Sequence, residues 1–213
     1  MTDRTSITVW SDYVCPFCYL ALPELRRAAA ERDVDVAWRA FELRPEPQPA
    51  LDPDGDYLHN IWDSAVYPMA EQRGMVLRLP PVQPRSRLAA VTAAFAQDQG
   101  AFDIVHEALF RAFFEDGLDI GDPAVLLDIA TTCGLDSADL HRAFEDPALA
   151  ARVAADEDLA GRIGITGVPA MVIRHAGQHF LLSGAQPAEV IAHAIDQARS
   201  GRGAGDPEGD LKP

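Results

Sequence analysis

The sequence predicts an α/β protein: a mixed four-stranded sheet with an all-helical domain inserted into it. Three observations carry that prediction. The first forty residues read strand–helix–strand, the segment 164–200 reads strand–strand–helix, and the long stretch between them has helical periodicity throughout.

"SITVW" alternates, with Ile7 and Val9 on one side and Thr8 and Trp10 on the other, and reads as the first strand. "LALPELRRAAAERD" is rich in Ala, Leu, Arg and Glu and reads as a helix. "VDVAWRAF" alternates again, with Val34, Val36, Trp38 and Ala40 on one face. Two strands joined through a helix pair in parallel, with a right-handed crossover. "LRPEPQPALDPDGD" holds four prolines and cannot continue a sheet interior, so it marks a boundary.

From Tyr57 to about Ile163 the spacing predicts five or six short helices. Leu88, Val91 and Phe95 share one face, and Val105, Leu109 and Phe113 share the next. Asp122-Pro123 and Asp146-Pro147 each read as an N-cap followed by Pro at the first helical position. The apolar run Ala170 to Ile173 and "HFLLSG" then form a hairpin turning at His175 to Gln178. Val190, Ile191, Ala194, Ile195 and Ala198 give the closing helix its apolar face, with Pro187 in the first turn and Gly201 after the end. The expected organisation is 1–45 as the first part of the sheet domain, 46–163 as linker and helical insertion, 164–200 as its second part, and 201–213 as a flexible tail.

Composition narrows the function. Nearly half the residues are hydrophobic (48%), which suits a globular chain of 213 residues and excludes disorder. A formal net charge of -15 repels phosphate backbones and anionic membranes, so neither nucleic acid nor a membrane is an expected partner. "MTDRTSITVW" does not read as a signal peptide, and no apolar run reaches the roughly 18 residues of a membrane span; the expected location is the cytoplasm. Three cysteines in a reducing compartment do not make a disulfide framework.

Cys15 and Cys18 stand three apart at the strand-to-helix junction. Structural zinc wants four ligands, and a second knuckle is missing; Cys133 with His141 has the wrong spacing, so no metal is expected. A structural disulfide would close a tiny loop and constrain little. Two unrelated packed thiols are the remaining reading. Against it, a CxxC at the start of a helix within β-α-β is the context of a redox dithiol. Cys15 near the helix N-terminus is favoured as a thiolate and expected to be accessible, with Cys18 one turn further in and shielded. That asymmetry suits one attacking and one resolving thiol. Cys133 reads as a packing residue, with a regulatory thiol as the alternative. None of the six histidines has a spacing that assigns it a role.

Val168-Pro169 precedes the third strand within "TGVPAMVI", where an X-Pro bond can be cis and leave backbone groups to pair with an extended peptide. "SDYVCPFCY", "TGVPAMVI" and "LSGAQP" together resemble the DsbA-like thioredoxin-fold family, in particular its cytoplasmic FrnE-like branch. "RSRLAAVTAAFAQDQG" and "LFRAFFEDGLDIGD" extend the similarity, which runs to about Arg199. The resemblance implies a thioredoxin fold with a helical insertion, Cys15 as nucleophile, Cys18 as resolving thiol and Pro169 as a cis-proline facing them. The chain departs from the family in having Phe17 between its cysteines, where relatives carry His or Trp. Phe17 supplies neither charge nor a hydrogen bond, so a weaker oxidant than DsbA is expected.

The resulting expectation is a thiol-disulfide oxidoreductase acting on protein or small-molecule thiols and disulfides, with no cofactor beyond its own dithiol and glutathione as a possible co-substrate. Pro16, Phe17, Val168 and Pro169 are the expected substrate contacts, at the edge of a cleft between sheet and helices. A glutathione-dependent isomerase or transferase of a small aromatic substrate, and a redox-switched binding module, are the alternatives. The sequence does not settle the oligomeric state.

Overall fold

The computed structural model describes residues 4–201, so the expected tail, 201–213, lies outside the described residues except for Gly201. Strand β1 (Ser6–Ser11) leads into helix α1 (Pro16–Arg32) and strand β2 (Asp35–Ala40). The chain returns to the sheet as β3 (Ala170–His175) and β4 (Gln178–Ser183), and closes with α9 (Ala188–Ser200). Strand order is β2-β1-β3-β4, with β1 parallel to β2 and the other two pairings antiparallel.

The sheet is covered on both faces, which explains why β1 is buried along nearly its whole length despite its alternating pattern. Ile7 and Val9 join Leu25, Met171, Ile173, Ile191 and Ile195 in a core under α1 and α9. Trp10, on the opposite face, packs with Ala160 and Val172. Its indole Nε1 donates to the Asp156 carbonyl at 3.0 Å, so the one polar group of a fully buried ring is satisfied. Burying each such large apolar side chain contributes roughly 1.5–3 kcal/mol.

The hairpin turns through Ala176 (φ 48°) and Gly177 (φ 81°). Two successive positive φ angles are what a two-residue turn needs to match strand twist.

Between β2 and β3 the described residues hold seven α-helices, more than the five or six expected. They are α2 (Asp56–Ile61), α3 (Tyr67–Gln72), α4 (Arg87–Asp98), α5 (Phe102–Phe114), α6 (Pro123–Thr132), α7 (Ser137–Ala143) and α8 (Pro147–Arg162). A π-helical segment, Trp62–Val66, joins α2 to α3. Their shortness and the lack of a side-chain cap at Gly55 left little local signal for α2 and α3. Trp62, Phe110, Phe113 and Phe114 form part of the helical core, which extends to Cys15 and Cys18. Helix α8 packs against β2, on the Trp10 side of the sheet.

Pro23 lies inside α1. A proline there lacks an N–H and tends to open the preceding turn. Arg73, at the end of α3, donates to the Leu20 carbonyl in that turn at 2.6 Å and to the Ala185 carbonyl at 2.7 Å. One guanidinium thus ties the inserted helices to α1 and to the loop after β4.

Candidate active site

Strand β1 ends at Ser11, and the chain reaches α1 through a tight turn. The Cys15 N–H donates to the Asp12 carbonyl (3.1 Å), and the Asp12 carboxylate accepts from Val14 N–H (3.2 Å) and Leu43 N–H (2.7 Å). Asp12 therefore fixes the turn to the segment that follows β2. Its carboxyl is pushed up to about 6, chiefly by complete burial, and the hydrogen bonds from Leu43, Ser86 and Val14 pull the other way.

Cys15 is the N-cap of α1 and Pro16 its first residue, with no side-chain hydrogen bond capping the helix. Cys18 N–H and Tyr19 N–H donate to the Cys15 carbonyl (3.0 and 3.4 Å). Cys18 is 1% exposed, and both thiols are free. The Cys18 thiol is pushed well up by burial, then by a hydrogen bond with Cys15 and the charge on Cys15. The Asp12 N–H and the Ser11 hydroxyl near its sulfur moderate that rise. The two sulfurs are thus linked, and burial above all keeps the Cys18 thiol protonated.

Cys15 is only 4% exposed, which corrects the expectation of an accessible nucleophile. The reason is packing: Cys15 and Cys18 belong to the helical core, and Phe17 and Val168 lie half-buried against it. The Cys15 Sγ lies 3.5 Å from the Val168 carbonyl, to which it donates. The Val168–Pro169 bond is cis, as is Glu46–Pro47. Pro169 is buried, and its carbonyl accepts from Gly184 N–H at 2.8 Å. Structure thus brings Cys15, Cys18 and Val168 together, with Pro16 half-buried on the first helical turn.

The cleft expected between sheet and helices exists, but none of Cys15, Cys18, Phe17, Val168 and Pro169 lines it. It opens along β2, the free edge of the sheet, between α4, α5 and α8. A separate shallow groove runs along Gly164–Ala170 and Leu181–Gly184, with Val168 and Pro169 in its wall.

Sequence reasoning missed three residues here. The sequence assigns Ser11 and Asp12 no role, yet both are buried at the dithiol turn. His106 is 2% exposed, and its Nδ1 lies 2.7 Å from the Tyr13 hydroxyl. Burial, helped by the charge of Arg26, lowers its imidazole to about 3, so the ring is neutral. Tyr13 is held well above the usual phenol range by burial and by Asp12. The position of His106 on the apolar face of α5, one residue after Val105, was the available signal.

Comparison with known proteins agrees with this geometry. The DSBA-like thioredoxin domain matches residues 6–196. An uncharacterized protein of Bacillus subtilis (strain 168), YwbO, is 38% identical over 142 residues, spanning 65% of this chain and 71% of that one. A probable DsbA oxidoreductase of Streptomyces coelicolor, SCO1869, superposes with a TM-score of 0.79 at 28% identity, covering 99% of this chain and all of that one (100%). The fold is also that of the cytosolic disulfide reductase DsbM from Pseudomonas aeruginosa (TM-score 0.71, 21% identity, 92% and 99% covered). DsbM solved with GSH gives a TM-score of 0.69 at 20% identity over 91% and 99% of the two chains.

Proposed function

The chain belongs to the DSBA-like thioredoxin family, and from that premise we propose that it is a cytoplasmic thiol-disulfide oxidoreductase working through Cys15 and Cys18. The observation that carries this reading is the asymmetry of the pair. Cys15 stands at a helix N-terminus that no side chain caps, where the helix dipole favours a thiolate. Cys18 lies buried one turn inside, with its thiol pushed up by that burial and by Cys15.

The Cys15 thiolate attacks one sulfur of a substrate disulfide. A Cys15–substrate disulfide forms, the substrate S–S bond breaks, and the second substrate sulfur leaves as a thiolate that takes up a proton. The Cys18 thiol then loses its proton and attacks Cys15 Sγ. The Cys15–Cys18 disulfide forms, and the remaining substrate thiol leaves. Two electrons have passed from the dithiol to the substrate, and the reverse sequence oxidises a substrate dithiol. Burial, then the hydrogen bond with Cys15 and the charge of its thiolate, raise the Cys18 thiol; forming the mixed disulfide removes that charge, so the first step eases the second.

In this scheme Pro16, Phe17, Val168 and Pro169 are the residues that contact the substrate. With Cys15 so little exposed, a substrate reaches it past Phe17 and the Val168 segment. Protein disulfides and glutathione both fit as substrates, and DsbM solved with GSH supports the second. Among the described residues no helix is long and apolar enough to cross a membrane.

Equilibrating the protein in glutathione redox buffers and mapping its disulfides tests the proposal. Reversible conversion of Cys15 and Cys18 to one intramolecular disulfide, with Cys133 left as a thiol, is the expected result. Pairing through Cys133, or thiols that stay reduced in oxidising buffer, would overturn it.

A further inference from the structure

The cleft along β2 holds about 180 Å³ of accessible space. Its mouth includes the exposed Gln97 and the half-buried Arg152, and its floor includes Ser11, Tyr13 and His106, all buried. Alanines 90, 93 and 94 of α4 leave the space open, and Trp38 and Phe102 supply flat apolar walls.

Four buried polar side-chain atoms lack a hydrogen-bond partner among the described residues. Two of them, Arg39 Nε and His106 Nε2, belong to residues lining this one cleft and have no other use in the site described above, whereas the third cleft residue, Ser11, has its hydroxyl beside the Cys18 sulfur. Such atoms are rarely left alone, because each unmet buried group costs about 1–3 kcal/mol. Their chemistry is of one kind. His106 is neutral, and with the Tyr13 phenol, 2.7 Å from Nδ1, as the donor of that contact, the ring proton sits on Nε2. Nε2 is then a donor, and Arg39 Nε–H is a cationic donor. Asp156 lines the cleft too, but both its oxygens are engaged, one by Arg39 and the other by Ala40 N–H at 3.1 Å. Arg152 is held by Asp98 at 2.7 Å and by the Ala94 carbonyl.

We propose that this cleft is a second small-molecule site, separate from the dithiol, that takes a compact monocarboxylate: one acid group on an apolar body no larger than a benzene ring. The carboxylate accepts from His106 Nε2–H and Arg39 Nε–H, and the apolar body lies between Trp38, Phe102 and the α4 alanines. An apolar protein cavity of about 150 Å³ holds benzene, so the space suits a body of that size. Charge-assisted hydrogen bonds of this kind are about twice as strong as neutral ones, which favours an acid over an amide or alcohol. Ser11 is common to the cleft and to the surroundings of Cys18.

Calorimetric titration of the full chain with benzoate, isovalerate and benzamide tests the site. Saturable 1:1 binding of benzoate or isovalerate with Kd below about 1 mM is expected, with benzamide at least about tenfold weaker than benzoate. Ala94→Leu, which narrows the cleft, and His106→Phe, which removes the Nε2 donor, should each weaken the acid at least about tenfold. In nitrogen-15 spectra of the wild type, the His106 Nε2–H signal should move on adding benzoate. A cleft that holds only water would give no saturable heat with either acid up to about 10 mM, and that result overturns the proposal. Equal affinity for benzoate and benzamide, undiminished binding in Ala94→Leu, or an unmoved His106 signal would overturn it as well.

Discussion

Helices α6, α7 and α8 each begin with an aspartate whose carboxylate accepts from the first turn. Asp122 and Asp146 take the N–H groups of Ala124 and Ala148, and Asp136 takes those of Ala138 and Asp139. Helix α1 begins with Cys15, and no side chain caps it. The third thiol stands at the other pole: Cys133 is the C-cap of α6, where carbonyl oxygens make the field negative. It is more exposed than either partner of the pair, yet burial alone raises its thiol, whose sulfur makes a long contact (3.9 Å) to the Ile104 carbonyl. If the proposed chemistry holds, exposure does not mark the reactive sulfur in this molecule. Position at a helix N-terminus, left free of competing oxygen, and a second thiol one turn away mark it.

The largest effect should come from removing each thiol in turn. Cys15→Ala should lower the rate of insulin disulfide reduction by about 100-fold or more, because it removes the attacking group. Cys133→Ala should leave that rate unchanged. Comparable losses in the two variants would erase the distinction between the two helix ends.

The surroundings of the dithiol differ from those of Cys133 in a second way, because they bury titratable groups of opposite sense. Asp12 is raised from 3.8 to about 6, and His106 is lowered from 6.5 to about 3. The contribution of Asp12 to stability is complete below pH 3.8 and is lost as pH rises through 6, about 3 kcal/mol in all. The contribution of His106 is complete above pH 6.5 and is lost as pH falls toward 3, about 5 kcal/mol in all. Between pH 4 and 6 the two slopes oppose each other. Urea unfolding over that range should therefore show Asp12→Asn gaining stability with pH by about 2–3 kcal/mol more than the wild type. His106→Phe should lose stability with pH by a similar amount. Parallel profiles for all three proteins would mean that neither group titrates out of step with the unfolded chain.

The smallest effect concerns the capped helices. Asp136→Ala should cost about 1 kcal/mol in urea unfolding by removing two hydrogen bonds at the start of α7. It should leave the rate of insulin reduction as it was. A lost rate would show that the region around Cys133 takes part in the chemistry.

Much of this was legible in the chain because it is written in short-range signals. Asp-Pro pairs announced α6 and the first-turn proline of α8, and alternation announced β1 and β2. The separation of three between Cys15 and Cys18 placed both thiols on the first turn of α1. What escaped depends on partners far along the chain. The Tyr13–His106 contact joins residues 93 positions apart, and Asp12 is held by Leu43, 31 positions away. Cys15 was expected at the surface, but Val168, 153 positions on, lies against it. Local spacing carries no information about any of these.

The most direct test of the central claim is to trap the first step. Cys18→Ser leaves Cys15 able to attack but removes the thiol that would release the product. Treated with oxidised glutathione and examined by intact mass and peptide mapping, this variant should carry one glutathione per chain, on Cys15. The wild type under the same conditions should carry none and should hold a Cys15–Cys18 disulfide. A variant that takes up no glutathione, or takes it up on Cys133 instead, would contradict the account.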